Sequence, residues 1–407
     1  MKYFIICEAS PSSSNYNIAF RLACELKKRH EVYLGYFPPS SETMRSPGVD
    51  GELFWMEDVL GTEYDSIRGD RWQRIRYLIS HPVYSLAKIM DRTTLGAYTR
   101  RVIFMKKAGK LCKDKGIDVV IGVTEPFISA KVASGLRVRS KKYIIQLDPY
   151  SYNQCSVKGN RELHKKRLTE EINVFKKTDK LFTTSLIKKD LIRIKAFGDR
   201  KEHIVEIEFP LIDGERTSKK TSDNTIIKKK EGEIAFLHCG SLYDDIRNPG
   251  NLVRLFRLLP ENYKLYVAGR NSESIRRYDE RIRERIVDLG CLSLEDAAQA
   301  RVEADILISY NNLVDNQVPS KLFECINEGK PFINLCQLDD CPTLPYVNGY
   351  DMAYTVFISS MEKDVKGIMG FVEKNMDKEA DRAVIIEKFR KNTIEYFAET
   401  IEDGVSK

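Results

Sequence analysis

One short segment of the sequence places a lysine and a glutamate at the opening of a candidate helix. The run PSKLFECINEGKP spans residues 319–331 and precedes an apolar stretch. Proline suits the first helical position, and glycine followed closely by proline is typical of a helix end. The sequence therefore predicts a short helix that begins at Pro319, with Ser320, Lys321 and Glu324 in its first turns.

A lysine beside the unpaired N–H groups of a helix N-terminus attracts anions. Glu324 lies one turn further on, and a carboxylate there can accept hydrogen bonds from two ribose hydroxyls, as acidic residues do in dinucleotide sites. Phosphate and ribose at this spacing describe a nucleotide. The same spacing also fits an i,i+3 surface ion pair between Lys321 and Glu324, with Leu322, Phe323 and Ile326 in the core.

A second candidate site is the loop HCGSLYDDIRNPG, residues 238–250, which follows an apolar run and leads into a helix. Gly240 lets the backbone approach a ligand, Ser241 offers a hydroxyl, and Arg247 is suited to phosphate oxygens. The segment is interpreted as a cradle for a diphosphate. A tight turn with a surface arginine fits the same residues.

A third candidate loop, VAGRNSES at residues 267–274, again ends an apolar run with glycine and continues into an arginine, Arg270. If the two runs are neighbouring parallel strands, this arginine points toward the same edge of the sheet. A capped helix with a solvated arginine is the alternative interpretation.

The first half of the chain has two further groups of polar residues after apolar runs. Ser13, Ser14 and Asn15 lie in a loop where they are suited to bind a donor phosphate or an acceptor, although their spacing favours an ordinary N-cap for a helix from residue 16. Glu125 and Asp148 are candidates to orient or deprotonate a substrate hydroxyl. Both also fit ordinary turns.

The elements that would position these residues alternate along the chain. Apolar runs that predict buried strands occupy residues 3–7, 31–37, 118–123, 142–147, 180–184, 203–209, 233–239, 263–269, 304–310, 331–335 and 353–357. Amphipathic stretches that predict helices lie between them, with Ile18, Leu22 and Leu26 spaced four apart in the first. Strand, helix and strand in this order predict parallel sheets.

The polar stretch 208–232 lacks periodicity and predicts an interdomain connection. The expected organisation is one α/β domain over residues 1–210, a linker over 211–232, a second α/β domain over 233–380 and a helix over 381–407. Residues 69–116 contain two basic amphipathic helical stretches. These fit packing on the first sheet, and they also fit contact with an anionic membrane.

Charge is distributed unevenly. Residues 1–207 carry 38 Lys and Arg against 24 Asp and Glu, whereas residues 208–407 carry 28 against 35. A basic half fits nucleic acid, an acidic membrane surface or a phosphorylated substrate, and it also fits a simply solvated basic surface.

Nine scattered cysteines without a Cys-x-x-Cys pair argue against a disulfide framework or a zinc site, and no apolar run is long enough to span a bilayer or to form a signal peptide. The histidines lack the spacing of metal ligands, and the sequence contains no Asp-x-Asp signature. These features predict a cytoplasmic protein.

Four ordered segments resemble the donor domain of GT-B glycosyltransferases, particularly family 4. They are GSLYDDIRNPGNLVRLFRLLP (240–260), LYVAGR (265–270), LSLEDAAQARVEADILISY (292–310) and VPSKLFECINEGKPFINL (318–335). The resemblance implies two Rossmann-like α/β/α domains facing across a cleft, with a UDP- or GDP-linked sugar on the second domain and an acceptor on the first. It also implies that the C-terminal helix, residues 381–407, crosses back to the first domain. It implies transfer to a glycan or lipid-linked acceptor in cell-surface glycan synthesis.

The resemblance also implies roles for single residues. Glu324 would bind the donor ribose, Lys321 and Arg247 the diphosphate, and Gly240 with Ser241 would form the cradle. Ser320 and Arg270 would assist at the same edge. Asn316 stands where many members carry a second glutamate that contacts the donor sugar.

Retaining transfer is usual in that group, and neither a metal ion nor another cofactor is expected. No nucleic-acid partner is expected, and the basic first half makes the inner face of the membrane a candidate location. An epimerase of nucleotide sugars with the same fold, and a non-catalytic partner of an active transferase, remain alternatives.

Overall fold

The structure, a computed structural model, describes residues 1–7, 14–36, 48–54, 71–80, 94–157, 159–198, 200–213, 225–278 and 284–406. The chain forms two compact units. The first comprises Met1–Ser151, Glu162–Ile207 and Thr400–Lys407, and the second comprises Tyr152–Arg161 and Glu208–Glu399. The last residues of the chain therefore pack with the first unit, and a short segment near residue 155 packs with the second. Most of the expected linker, residues 214–224, lies outside the described residues.

The first unit is built on a parallel sheet with the order β3-β2-β1-β4-β5-β6-β7. Its strands are β1 (Lys2–Cys7), β2 (Glu31–Tyr36), β3 (Gly51–Phe54), β4 (Val119–Val123), β5 (Lys141–Gln146), β6 (Lys180–Thr183) and β7 (Ile204–Glu206). Six of them match predicted runs, and β3 was not predicted. The strand order reverses between β1 and β4, which is the topology of a doubly wound fold.

The second unit repeats this design with a parallel sheet in the order β10-β9-β8-β11-β12-β13. Its strands are β8 (Ile234–Cys239), β9 (Tyr263–Ala268), β10 (Ile286–Gly290), β11 (Ile306–Tyr310), β12 (Phe332–Cys336) and β13 (Ala353–Phe357). Five match predicted runs, and β10 was not predicted. Here the strand order reverses between β8 and β11.

Helices lie between the strands of both sheets. They are α1 (Ser14–Lys27), α2 (Arg71–Ser80), α3 (Thr94–Lys115), α4 (Ile128–Gly135), α5 (Gln154–Val157), α6 (Arg161–Phe175), α7 (Ser185–Arg193), α8 (Pro249–Leu258), α9 (Leu294–Glu303), α10 (Lys321–Glu328), α11 (Leu344–Val347), α12 (Val365–Asn375), α13 (Arg382–Lys388) and α14 (Ile394–Ser406). Ile18, Leu22 and Leu26 of α1 are buried, as their spacing predicts.

Each unit has its own apolar core between sheet and helices. In the first, Phe104 and Ala108 of α3 pack with Val120 of β4 and Ile144 of β5. Helix α3 therefore buries its apolar stripe against the sheet, which is the packing interpretation of the basic segment 94–115. Within the basic region 69–116, residues 81–93 lie outside the described part of the chain. None of the described helices is long and apolar enough to cross a bilayer.

Two predicted helix bounds are wrong in the second unit. The single helix expected over 381–407 is divided into α13 and α14, because the backbone at Asn392 and Thr393 pairs with Ile212 instead of continuing the helical ladder. Helix α10 begins at Lys321 and not at Pro319, although Gly329 ends it in the left-handed conformation, at φ 76°, as predicted.

Candidate functional site

The crevice between β8 and β11 is the switch point of the second sheet. In doubly wound folds ligands bind at the carboxyl ends of the strands beside such a point. The loops after β8, β9 and β11 and the opening of α10 meet at this edge, so they are the elements that determine what the second unit can bind.

The loops after β8 and β9 are joined into one piece of backbone. Gly240 N–H donates to Ala268 O at 2.8 Å, and Leu242 N–H donates to Arg270 O at 3.0 Å. Gly269 has φ +134°, and a Cβ there would lie 2.6 Å from Gly240 O, so only glycine permits this approach. The side chain of Arg270 is exposed. Two segments predicted separately thus form a single surface at the end of the sheet.

Arg247 links this surface to the loop after β11. Its Nε–H donates to Asn312 Oδ1 at 2.8 Å, and its Nη1–H donates to Ser241 O at 3.1 Å. The guanidinium is therefore held beside the predicted cradle of Gly240 and Ser241 instead of extending into solvent. Asn312 is 5% exposed and was not predicted as a site residue.

His238, the last but one residue of β8, is buried under this surface. Its Nδ1 lies 3.2 Å from Ile308 O, while its Nε2 has no hydrogen-bond partner among the described residues and lies 3.1 Å from where a Cβ on Gly240 would be. Burial first, and then the charges of Arg247 and Lys321, lower the pKa of His238 to about 4 against the opposing effect of the hydrogen bond to Ile308 O. The imidazole is neutral at pH 7, and two cations lie close to it.

At the opening of α10, Lys321 Nζ contacts both oxygens of Glu324, at 2.8 and 2.9 Å. The two side chains are 41% and 29% exposed, so both remain accessible to a ligand. Ser320 precedes the helix in a helical conformation and makes no side-chain cap. Leu322 and Phe323 are fully buried, as predicted for the other face of the helix.

Arg301, in α9, is the residue of this cluster that sequence reasoning missed. Its side chain is 12% exposed, with Nη1 3.4 Å from Glu324 Oε2 and Nε 3.3 Å from Glu328 Oε2. Burial alone would raise the pKa of Glu324, but the charges of Lys321 and Arg301 outweigh it and hold that pKa below its ordinary value. The signal available in the sequence was a single cation in a helix otherwise rich in alanine.

Asn316 lies on the loop after β11 and is tied to the short segment 152–161 of the same unit. Its Nδ2–H donates to Tyr152 O at 2.7 Å, and its Oδ1 is buried without a partner among the described residues. The neighbouring Asp315 accepts a hydrogen bond from Gln154 at 2.6 Å. The amide at this position therefore has one end fixed to the backbone and one acceptor oxygen unsatisfied.

In the first unit, three predicted residues meet at the carboxyl ends of β4 and β5. Asn15 Nδ2–H donates to Glu125 O at 3.1 Å, and the carboxylates of Glu125 and Asp148 are close enough to repel each other. Burial, followed by the charge of Asp148, raises the pKa of Glu125 to about 7. Ser14 opens α1 two residues earlier than predicted, and Ser13 lies outside the described residues.

A buried carboxylate behind this group, Glu171 of α6, was also missed. It is 1% exposed and accepts hydrogen bonds from Gln146 Nε2, at 2.8 Å, and from the hydroxyl of Ser151. Burial raises its pKa. Glu171 therefore fixes the end of β5 from which Asp148 emerges. Within the described residues, no three His, Cys, Asp or Glu side chains group closely enough to hold a metal ion.

No protein-family model matches the chain, and no curated protein matches it in sequence. Solved structures do match its fold over its full length. HepE from Anabaena, in complex with UDP and glucose, aligns with a TM-score of 0.66 at 11% identity, covering 100% of this chain and 99% of that chain. The chain has the GT-B fold.

Two further solved structures agree with this assignment. Sucrose-phosphate synthase from Thermosynechococcus elongatus aligns with a TM-score of 0.65 at 11% identity, covering 99% of this chain and 98% of that chain. A putative UDP-N-acetylglucosamine 2-epimerase from Listeria monocytogenes aligns with a TM-score of 0.57 at 12% identity, covering 98% and 94%. The same fold thus occurs in a synthase and in a protein described as a putative epimerase.

Proposed function

We propose that this protein is a glycosyltransferase that moves a sugar from a nucleoside diphosphate sugar to a hydroxyl group of an acceptor. The observation that carries the proposal is the cluster of Lys321, Glu324 and Arg247 at the switch point of the second sheet. Two cations and a partly exposed carboxylate lie there beside a backbone surface built around Gly240. These groups match the phosphates and the ribose of a nucleotide.

In this proposal Glu324 accepts hydrogen bonds from the ribose hydroxyls, and Lys321 with Arg247 binds the diphosphate. The N–H groups at the opening of α10, near Ser320, add a favourable field for the phosphates. The backbone of Gly240 and Ser241 lies under the diphosphate, and the exposed Arg270 contacts its outer oxygens. The UDP bound by HepE makes a uridine nucleotide the first one to test.

The chemistry follows from the charges. The bond from the anomeric carbon to the diphosphate oxygen breaks, the acceptor oxygen bonds to that carbon, and the acceptor proton leaves to a base. Negative charge grows on the departing nucleoside diphosphate, so Lys321 and Arg247 stabilise the transition state more than the bound substrate. We propose that these cations act without a metal ion, and transfer should therefore persist in EDTA.

The first unit is proposed to bind the acceptor. Glu125 and Asp148 lie at the carboxyl ends of its strands, where they can bind acceptor hydroxyls. A pKa of about 7 suits Glu125 to act as a general base near neutral pH. The basic character of residues 1–207 favours an acceptor that carries phosphate, such as a lipid-linked glycan.

The donor sugar is proposed to contact Asn316, whose unsatisfied Oδ1 is suited to accept a hydrogen bond from a sugar hydroxyl. A neutral amide at this position accepts from a hydroxyl without adding charge next to the diphosphate. A hexose donor with retention of anomeric configuration is the outcome to test first.

Incubation with UDP-glucose, UDP-N-acetylglucosamine and GDP-mannose, each with and without lipid-linked and free saccharide acceptors, tests the activity. A transferase releases nucleoside diphosphate only when acceptor is present and yields a longer product. An epimerase, which the Listeria structure makes the second candidate, changes the sugar without acceptor. If neither transfer nor epimerisation is observed, the outcome supports a non-catalytic role and contradicts the proposal.

The binding site is tested separately by calorimetry with UDP. Glu324→Gln should weaken binding by at least about tenfold, because ribose recognition loses a charged acceptor. Glu387→Gln, at an exposed position on α13, is the matched control and should bind as the wild type does. Equal affinity in both variants would contradict the assignment of Glu324.

A further inference from the structure

A cavity of about 760 Å³ lies in the first unit at the edge where its strands begin. It is formed by the end of α3, the end of α4, the loop that follows α4 and the start of β5. Glu125 and Asp148 follow the opposite ends of β4 and β5, and a strand of five or six residues is about 15–20 Å long. The cavity is thus separate from the group of carboxylates proposed to bind acceptor.

Five cationic side chains line this cavity, namely Lys113, Arg137, Arg139, Lys142 and Lys177. No carboxylate lines it among the residues that the structure describes. Lys113, Arg137, Arg139 and Lys177 are exposed. Lys142 is half-buried, and its Nζ donates to Ser134 O at 3.3 Å.

Some negative charge opposes these cations. Asp179 accepts a hydrogen bond from the backbone N–H of Lys142, at 2.7 Å. Burial lowers the pKa of Lys142, and the charge of Asp179 opposes that shift only in part. Helices α3 and α4 both end at the cavity, and each C-terminus contributes roughly half a negative charge. The five cations of the lining outnumber this opposing charge, so the cavity lining is net positive.

We propose that this cavity binds an anion with two or more phosphate groups. Its volume is within the range of small-molecule sites, and its excess charge matches a diphosphate or triphosphate group. Arg137 and Arg139 supply planar guanidinium groups that pair with phosphate oxygens in bidentate fashion. Lys113, Lys142 and Lys177 supply point charges around them.

The phosphates can belong to a soluble molecule or to lipid headgroups at a membrane surface. Both present the same chemistry to Arg137 and Arg139. A soluble polyphosphate fills the cavity alone, whereas a membrane presents several headgroups to the exposed cations at its rim. The two sources are separated by the probes used in the experiment.

The first arm is calorimetric titration of the full chain with inorganic tripolyphosphate at low ionic strength. The double variant Arg137→Gln/Arg139→Gln should lose at least about tenfold in affinity. The control Lys165→Gln/Lys189→Gln removes the same charge from exposed positions on α6 and α7 and should change affinity less than about twofold. The titration is repeated with UDP at saturating concentration, so that the proposed diphosphate site of Lys321 and Arg247 is occupied and the remaining heat reports this cavity.

The second arm is flotation with vesicles of phosphatidylcholine containing 30 mol% phosphatidylglycerol, against vesicles of phosphatidylcholine alone. If headgroups are the source, the wild type floats with the anionic vesicles and Arg137→Gln/Arg139→Gln does not. If a soluble anion is the source, only the calorimetric arm shows the loss. No binding in either arm, or an equal loss in the control variant, would overturn the proposal. Failure here leaves UDP binding unaffected, so the two proposals fail independently.

Discussion

Arg301 Nη1 lies 3.4 Å from Glu324 Oε2, on the same carboxylate that Lys321 Nζ contacts at 2.8 Å. The candidate ribose ligand therefore belongs to a network of two cations and two carboxylates, since Arg301 also contacts Glu328. Glu324 is held in place from α9 as well as from its own helix. Its position depends on a side chain that contacts no substrate in the proposed mechanism.

Arg301→Gln should destabilise the second unit by about 3 kcal/mol, because Glu328, 3% exposed, loses its ion pair with Arg301. UDP affinity should fall as well, because Glu324 loses one of the contacts that orient it. Thermal unfolding and UDP titration measure the two effects. Lys366→Gln, on an exposed position of α12, should change neither, and an unchanged melting temperature in Arg301→Gln would contradict the network.

Gly269→Ala should destabilise the second unit by about 2–4 kcal/mol and abolish UDP binding, since the added Cβ meets Gly240 O at 2.6 Å and the backbone has φ +134°. Gly232→Ala is the matched control. It shares a positive φ, +78°, but its Cβ meets nothing within 4 Å, so it should lose only about 1 kcal/mol and keep UDP affinity. Denaturant unfolding measures the loss of stability in each variant. Similar losses in both would mean that backbone strain, and not the contact with Gly240, causes the destabilisation.

The stability of the first unit should depend on pH through Glu125, whose pKa is raised to about 7 by burial and by Asp148. This pKa of about 7 also includes a lowering effect of Arg167 and a smaller raising effect of Glu171. Between about pH 4.5 and 7 the folded chain keeps a proton that the unfolded chain has released, so the free energy of unfolding falls as the pH rises through this window.

Glu125→Gln removes that dependence. At each pH the free energy of unfolding of the variant is compared with that of the wild type. This difference should shift in favour of the variant by up to about 3 kcal/mol between pH 4.5 and pH 8. Urea unfolding at the two pH values measures the difference. Glu162→Gln, at an exposed position on α6, is the control and should track the wild type. A difference between Glu125→Gln and wild type that is the same at both pH values would disprove the titration.

Asn316→Asp should loosen the segment 152–161, because the substituted side chain no longer donates to Tyr152 O and places a carboxylate oxygen against that carbonyl. Hydrogen exchange of the amides of Val157 and Asn160, which are bonded within this segment, should become at least about tenfold faster. Asn348→Asp makes the same change at an exposed position and should leave their exchange as in the wild type.

Most of the sheet architecture is predictable because buried parallel strands are continuous apolar runs, as in residues 3–7 and 304–310. The two unpredicted strands are edge strands that lack this signal. Strand β3 is only GELF, and β10, IVDLG, contains an irregularity between Asp288 and Gly290. An edge strand needs only one neighbour, so its sequence carries less apolar character.

The positions of Gly240, Arg247, Lys321 and Glu324 were predictable because each follows the end of a recognisable strand or opens a helix. Arg301 was not, since its role comes from the packing of α9 on α10 and not from local spacing. The division of the helix expected over 381–407 has the same origin. Helix α13 ends at Lys388, and the backbone at Asn392 and Thr393 pairs with Ile212 before α14 begins at Ile394.

The packing of residues 400–407 with the first unit bears on the order in which the chain is synthesised. Tyr143 Oη–H donates to Gly404 O at 2.8 Å, Lys141 Nζ donates to Val405 O at 2.7 Å, and Arg29 Nε donates to Glu402 at 3.1 Å. Strand β5 leaves the ribosome more than 250 residues before its partners. The buried hydroxyl of Tyr143 therefore stays without this partner until Gly404 has been synthesised, and the first unit is incompletely packed up to that point.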